Sequence, residues 1–376
     1  MIHRLAYSPS ASLSFHEAFA DCLQQIDRLT AVKPILGIVF FVNANTMADY
    51  HTEAASILST MDQSERRMPA NILAQPNTAA VSMEMWIDEE AKDLKYLETD
   101  GQRYTRYTTR GSQALLALGL HASPELPLQS QAEATFQHLY NVLEQEGLTL
   151  TDIVRQWNYV PEILALQIHE GKTLQHYQVF NEVRKACYAK HTFRHGYPAA
   201  TGIGVKTGPF SIDVLALASH AAVDKKGLSN PNQQNAYQYD QQQLIGDALC
   251  GQQKNPPLFE RAKLLAWEDT AQVIVSGTAS ILGQETVGQG DVSHQTEVAI
   301  QNMLDLLAPA VTGRQKHFEF NGLRVYIKQK KDYKAVKDVC QRFFPGIPTV
   351  YVQADVCRDN LLMEIEGEAV ELNEAP

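Results

Sequence analysis

The chain has 376 residues, 44% hydrophobic and 20% charged, with a formal charge of −11. That is globular composition, and at about 150 residues per domain it suggests two or three units. An acidic excess of this size repels polyanions, and no Lys/Arg run is long enough to grip nucleic acid or an anionic membrane surface. Cys22, Cys187, Cys250, Cys340 and Cys357 are widely spaced and form no CxxC, so a reducing compartment is expected rather than a disulfide framework or a zinc ribbon. The first residues lack the apolar core of a signal peptide, and the longest apolar run, 35–42, is too short for a membrane span. A cytoplasmic protein is expected.

In chain order, apolar runs predict strands at 35–42 and 80–87. Phe136, Leu139, Tyr140 and Leu143 then fall at helical spacing, and Gly147 stops that helix. A strand at 154–160, a helix at 177–191 and, after Pro198, two strands ending at 210–217 follow. A boundary is expected near His220, then a polar loop at 227–257, rich in Asn and Gln. After a strand at 272–276 the pattern returns. Ile300, Met303, Leu304 and Leu307 form a second apolar stripe, followed by a strand at 323–328, a helix at 333–343 and, after Pro348, two strands ending at 361–368. The two stretches read alike as helix, strand, helix, strand, strand. The expected fold is α+β with two tandem units, 1–220 and 221–376, each a mixed sheet with helices on one face.

Ser276-Gly-Thr-Ala-Ser, Gly290-Asp291, Gln295 and the closing Leu361-Leu-Met-Glu364-Ile-Glu-Gly resemble the RidA family, also called YjgF. The wider order is more specific. Trp157-Asn-Tyr-Val-Pro, Tyr177-x-x-Phe180-Asn181-x-x-Arg184, Pro198-Ala-Ala-Thr-Gly, Asn230-Pro-x-Gln233, Ala236-Tyr237, Phe259-Glu-Arg261 and Gln353-Ala-Asp-x-Cys357-Arg358 succeed one another as in the chorismatases. Those enzymes look like two fused RidA-type units and release pyruvate from chorismate. The resemblance covers 148 to the end, and only loosely 1–130; an insertion at 239–259 departs from it.

Cleaving an enol ether needs protonation of its terminal carbon, hence a general acid. The resemblance assigns that role to Glu364, whose counterpart in the first copy is Asp213; read from alternation alone, Glu364, Glu366 and Glu368 would form the wet face of a strand. A dianionic substrate needs fixed cations. Arg184 shares the inward helix face with Tyr177 and Phe180, while the second copy has Cys340 at that place. One anion site per chain is therefore expected, between that helix and the closing strand. Arg261 is the second cation, and Tyr237, Gln233 and Thr201 are candidate hydrogen-bonding partners of the substrate. Arg358 is expected to point away from Cys357. By resemblance, Cys357 favours a hydroxybenzoate over a dihydroxycyclohexadiene acid.

Nucleotide, metal and nucleophile motifs are missing: there is no GxGxxG, Walker loop, HExxH or GxSxG. No cofactor and no metal are expected. The partner is a small chorismate-like anion, and the resemblance implies a homotrimer. Two rival readings are a RidA-type imine deaminase and a non-catalytic metabolite-binding protein.

Overall fold

A computed structural model describes residues 1–63, 66–169, 171–218, 223–249 and 252–372. The expected boundary at His220 lies outside the described residues. The first unit runs β1 (Ile2–Tyr7), α1 (Phe15–Thr30), β2 (Ile35–Val42), α2 (Met47–Gln63), β3 (Ala70–Leu73) and β4 (Val81–Asp88), in the sheet order β1-β4-β2-β3. A hairpin, β5 (Lys92–Thr99) and β6 (Gln102–Thr109), leads into β7 (Ser112–His121), α3 (Leu128–Gln145) and β8 (Ile153–Pro161). After a small hairpin of β9 (Leu166–His169) and β10 (Lys172–Gln175) come α4 (His176–Tyr188), β11 (Ala199–Val205) and β12 (Ser211–Leu217). The second sheet is ordered β11-β8-β12-β7-β6-β5.

The third unit adds β13 (Asp224–Leu228), β14 (Ala262–Ala266), β15 (Ala271–Thr278), the short β16 (Ile281–Leu282) and β17 (Glu285–Thr286), then α5 (Val292–Leu307) and α6 (Pro309–Thr312). It closes with β18 (Phe318–Ile327), α7 (Tyr333–Phe343), β19 (Thr349–Gln353) and β20 (Met363–Glu371), in the order β13-β14-β15-β20-β18-β19. The α+β class is as expected, but the stretch 1–220 expected to form one unit divides into two sheets. Residues 1–88, where the sequence reading assigns only two strands, form a third unit with the same four-strand order.

Local sequence accounts for the element ends. Ser14 and Glu17 close a capping box at the start of α1, and Gly147, at φ +68°, ends the α3 turn in a left-handed conformation that favours glycine. Each sheet packs its helices on the outer face, giving three separate cores. A fourth core lies between the sheets and joins Leu36, Phe41 and Trp86 to Leu116 and Trp157 and to Tyr326. Burying such side chains contributes about 1.5–3 kcal/mol each. The edge strand of each unit lies against the first strand of the next: β3 on β7, β11 on β15, and β19 on β1. The units thus close a ring with three seams.

The ring's centre is ionic. Arg4, Arg155 and Arg324, one from each sheet, meet Glu84, Glu366 and Glu368, all buried. Arg155 bonds Glu366 at 2.6 Å, Arg4 bonds Glu368 at 2.8 Å and Glu366 at 3.1 Å, and Arg324 pairs with Glu84. Removing one member of such a set leaves a buried charge uncompensated, which costs about 3–5 kcal/mol.

Candidate active site

The seam between the second and third units carries the expected acid. Glu364 stands on β20 opposite Tyr326 and is 5% exposed. Asp213 holds the equivalent place on β12, opposite Trp157. Gly277 on β15 makes room for the carboxyl: a Cβ there would overlap Glu364 Oε1 and approach Thr201 Oγ1 at 3.0 Å. Burial, then the charge of Glu366, push the Glu364 carboxyl up to about 8 against the pull of Arg155 and Arg261. Glu364 therefore keeps its proton at neutral pH. Glu366, two residues on along the same face, is the opposite case: burial works to raise it, but Arg155, Arg324, Arg4 and a Thr201 hydrogen bond hold it down at about 2. One strand thus presents a neutral acid beside a fixed carboxylate. The wet-face reading of Glu364, Glu366 and Glu368 fails, because all three are buried.

The cations are on the same seam. Arg184 on α4 is 2% exposed; it donates to Asn181 Oδ1 at 2.6 Å, lies 4.8 Å from the Phe180 ring centre, and its Nε has no partner. Arg261 is also buried, donating to Gln234 O at 2.5 Å and Tyr239 Oη at 2.6 Å, again with a partnerless Nε. Neither forms a salt bridge among the described residues, in contrast to the arginines at the ring's centre. A buried cation without a counterion has lost its hydration uncompensated, and an incoming anion supplies what is missing. Tyr177 links the parts: its electrostatic neighbours are Cys357, Arg184, Glu364 and Tyr239, and burial raises its hydroxyl above the ordinary value.

A tight pocket of about 50 Å³ opens here, walled by Tyr177, Tyr239, Phe259, Ile281, Cys357 and Arg358. Gln243, Leu244 and Ile245 of the insertion also line it. The insertion is anchored on both sides. Asp247 exchanges bonds of 2.6 and 2.7 Å with the Thr173 backbone, and Asn255 donates to the Glu182 carboxylate of α4. Burial, then Glu364, push the Cys357 thiol up to about 12, so it stays protonated.

Several expected residues have other partners. Thr201 donates to Glu366 and accepts from Arg155 at 2.6 Å and from Gly277 N at 3.0 Å. Its hydroxyl proton is therefore spent on the protein's own carboxylate. Gln233 donates to Ile281 O at 3.1 Å and ties the loop to β16. Tyr237 packs on Tyr197 and accepts from Asn235 at 3.0 Å, whereas Tyr239, two residues on, bonds Arg261. Arg358, expected to turn away from the thiol, lines the pocket with its guanidinium 5.2 Å from the Tyr239 ring centre. Sequence reasoning missed Tyr177 and Tyr239 as pocket residues; the Tyr177 signal lay in its place on the Phe180/Arg184 helix face.

Among the described residues no cluster of three or more His, Cys, Asp or Glu side chains is placed to hold a metal ion, and no helix is long and apolar enough to cross a membrane.

Comparison with known proteins fits this geometry. A family model described as chorismatase FkbO/Hyg5-like, N-terminal, matches residues 84–216, which hold the second unit. A 3-hydroxybenzoate synthase of Streptomyces hygroscopicus is 28% identical over 82% of this chain and 86% of its own length. A chorismatase of Streptomyces rapamycinicus is 32% identical over 57% of this chain and 63% of that protein. The crystal structure of a chorismatase superposes with a TM-score of 0.70, covering 98% of this chain and 99% of that one at 21% identity. In sequence the chain is similar to the chorismatases, and it shares the fold of one.

Proposed function

We propose that the chain cleaves the enolpyruvyl ether of chorismate, or of a close analogue, into pyruvate and a hydroxybenzoate or dihydroxycyclohexadiene carboxylate. The observation that carries this reading is a buried acid, Glu364, kept protonated at neutral pH on the same seam as two buried arginines that lack counterions. Glu364 delivers its proton to the terminal methylene carbon, the enol ether becomes an oxocarbenium ion, and water adds to the cationic carbon. The resulting hemiketal breaks its C–O bond to the ring, giving pyruvate and the dihydroxycyclohexadiene acid, and the proton released from water restores Glu364. A hydroxybenzoate requires in addition that the ring lose one molecule of water. Glu366 holds negative charge beside the acid and adds to the effect of burial in keeping Glu364 protonated.

Arg184 and Arg261 anchor the two carboxylates, and Tyr177 and Tyr239 offer hydroxyls at the same wall. Tyr237, Gln233 and Thr201 act by positioning: Thr201 fixes Glu366 and Gln233 fixes the loop. Cys357, protonated and lining the pocket, acts through size and weak hydrogen bonding rather than as a nucleophile. A pocket of about 50 Å³ is far below the roughly 300 Å³ at which small-molecule sites begin, so the insertion at 243–245 must shift for the substrate to enter. No metal or organic cofactor takes part in this scheme.

The homotrimer expected from RidA-type units is replaced by a monomer in this proposal, because three sheets of one chain already enclose the shared core. Residence in the cytoplasm accords with the free thiols of Cys22, Cys187, Cys340 and Cys357. The deciding experiment is a coupled assay for pyruvate and for ammonia over chorismate and amino-acid-derived imines. Pyruvate from chorismate supports the reading. Ammonia from an imine would make the chain a deaminase, and neither product would make it a binding protein.

A further inference from the structure

Three seams in one ring give three clefts, and only one of them holds Glu364. The cleft between the first and second units is lined by Tyr50 of α2, Asn71 of β3 and His121 of β7, with a volume of about 480 Å³. Its arginine, Arg103, is neutralised by Asp62 at 2.6 Å and Glu98 at 3.4 Å, and Asp213 behind it is already bonded by Gly119 N and Asn71. The cleft between the third and first units differs. It has about 510 Å³, with an adjoining cavity of about 370 Å³ that shares Asn77, Thr78, Tyr333 and Tyr351.

Residue by residue, this third cleft is the active-site cleft with its chemistry changed. Tyr333 stands at the head of α7 as Tyr177 does on α4, and four residues on Lys337 replaces Asn181. Cys340 replaces Arg184. Ser82 on β4, opposite Phe41, takes the ladder place that Glu364 holds opposite Tyr326. The cleft therefore has no acid at the reacting position, but it gains cations. Lys337 Nζ lies 5.7 Å from the Tyr333 ring centre and 6.0 Å from that of Tyr351, and Lys330 and Lys206 border the adjoining cavity. None of the three lysines has a carboxylate partner within salt-bridge distance among the described residues. Asp338, next to Lys337, pairs with Lys334 at 2.5 Å, and Asp21 accepts from Tyr7 at 2.9 Å. Tyr333 and Tyr351, edge to face at 5.7 Å and 64°, line the cleft together with Phe344 and Ile347.

We propose that the cleft between the third and first units is a second, non-catalytic site that binds a small ring-bearing carboxylate. The ring lies against Tyr333 and Tyr351, the carboxylate meets Lys337 and Lys330, and Ser82, whose Oγ accepts from Asn77, keeps its hydroxyl proton to donate. The site does not depend on what reaction the other cleft performs.

Calorimetric titration of the full chain with 3-hydroxybenzoate tests it. Two sites per chain are expected. Lys337→Glu and Lys330→Glu should each weaken one of them at least tenfold and leave chorismate turnover unchanged, while Arg184→Ala weakens only the other. Both lysines are at the surface or half-buried, and circular dichroism confirms that each variant is folded. A single site that vanishes in Arg184→Ala, or a second site indifferent to both lysine variants, would overturn the proposal. So would inorganic phosphate competing as strongly as the aromatic acid, because the tyrosine wall would then contribute nothing.

Discussion

The two clefts that flank the third unit use one scaffold for different ends. At the seam with the second unit, a strand carboxyl and a helix arginine are buried, and the insertion helps to line a pocket of only about 50 Å³ beside them. At the seam with the first unit, serine, cysteine and an open volume of about 510 Å³ stand in the corresponding places. Repetition fixes where a cleft forms; a few side chains decide whether it can donate a proton. Burial is the decisive variable, since it lifts Glu364 to about 8 and leaves Arg184 and Arg261 without counterions.

The sharpest way to break the comparison is to remove its fixed charge. Glu366→Gln strands Arg155, which pairs with no other carboxylate among the described residues, so stability should fall by about 3–5 kcal/mol in denaturant unfolding. It should also lower the Glu364 carboxyl, because the second cause of its elevation is gone. Glu366 is depressed to about 2 in the folded chain, against an ordinary 4.5. Its share of stability is thus present above pH 4.5 and should be lost as pH falls toward 2. An acid-unfolding curve that Glu366→Gln leaves unchanged would contradict this.

Arg184→Ala comes next. Loss of a charge-assisted pair should weaken binding of a dianionic substrate analogue by about 1.5–3 kcal/mol, and unchanged affinity would return Arg184 to a purely structural role. Gly277→Ala should impair turnover without unfolding the chain, since the added methyl overlaps Glu364 Oε1 and forces the carboxyl to turn. The pH profile is a finer test. A donor must be protonated, so kcat/KM for chorismate should fall as pH rises through about 8; a profile that rises there would mean a base is at work. The smallest change expected is in product ratio: Cys357→Ala should shift output toward the dihydroxycyclohexadiene acid at similar total pyruvate, read by chromatography.

What the sequence made legible follows from how each feature is encoded. β2 and α7 were bounded correctly because an uninterrupted apolar run and a clear helical stripe mark them. The first unit was hidden. α2 buries only Ala54, Ile57 and Met61 among Ser, Thr and Ala residues, so its stripe is faint, and β3 is four residues long. The Ser14/Glu17 capping box was a readable signal for α1. In the site, Arg184 was visible as a charge on an apolar helix face. The Arg4, Arg155 and Arg324 cluster was not, because charged residues on a strand read as solvent-facing and their partners come from sheets hundreds of residues away. Tyr237 and Tyr239 could not be told apart, since the short turn at Ala236–Gln238 aims them at different neighbours.

The most direct test of the central claim is pyruvate release from chorismate by the Glu364→Gln chain. The amide keeps the shape of the side chain and removes the transferable proton. Substrate affinity should survive while turnover drops by about 10²–10⁴-fold, the usual share of a general acid. Pyruvate release at the unmodified rate would contradict the account and leave Asp213, the equivalent carboxyl of the second unit, as the next to examine.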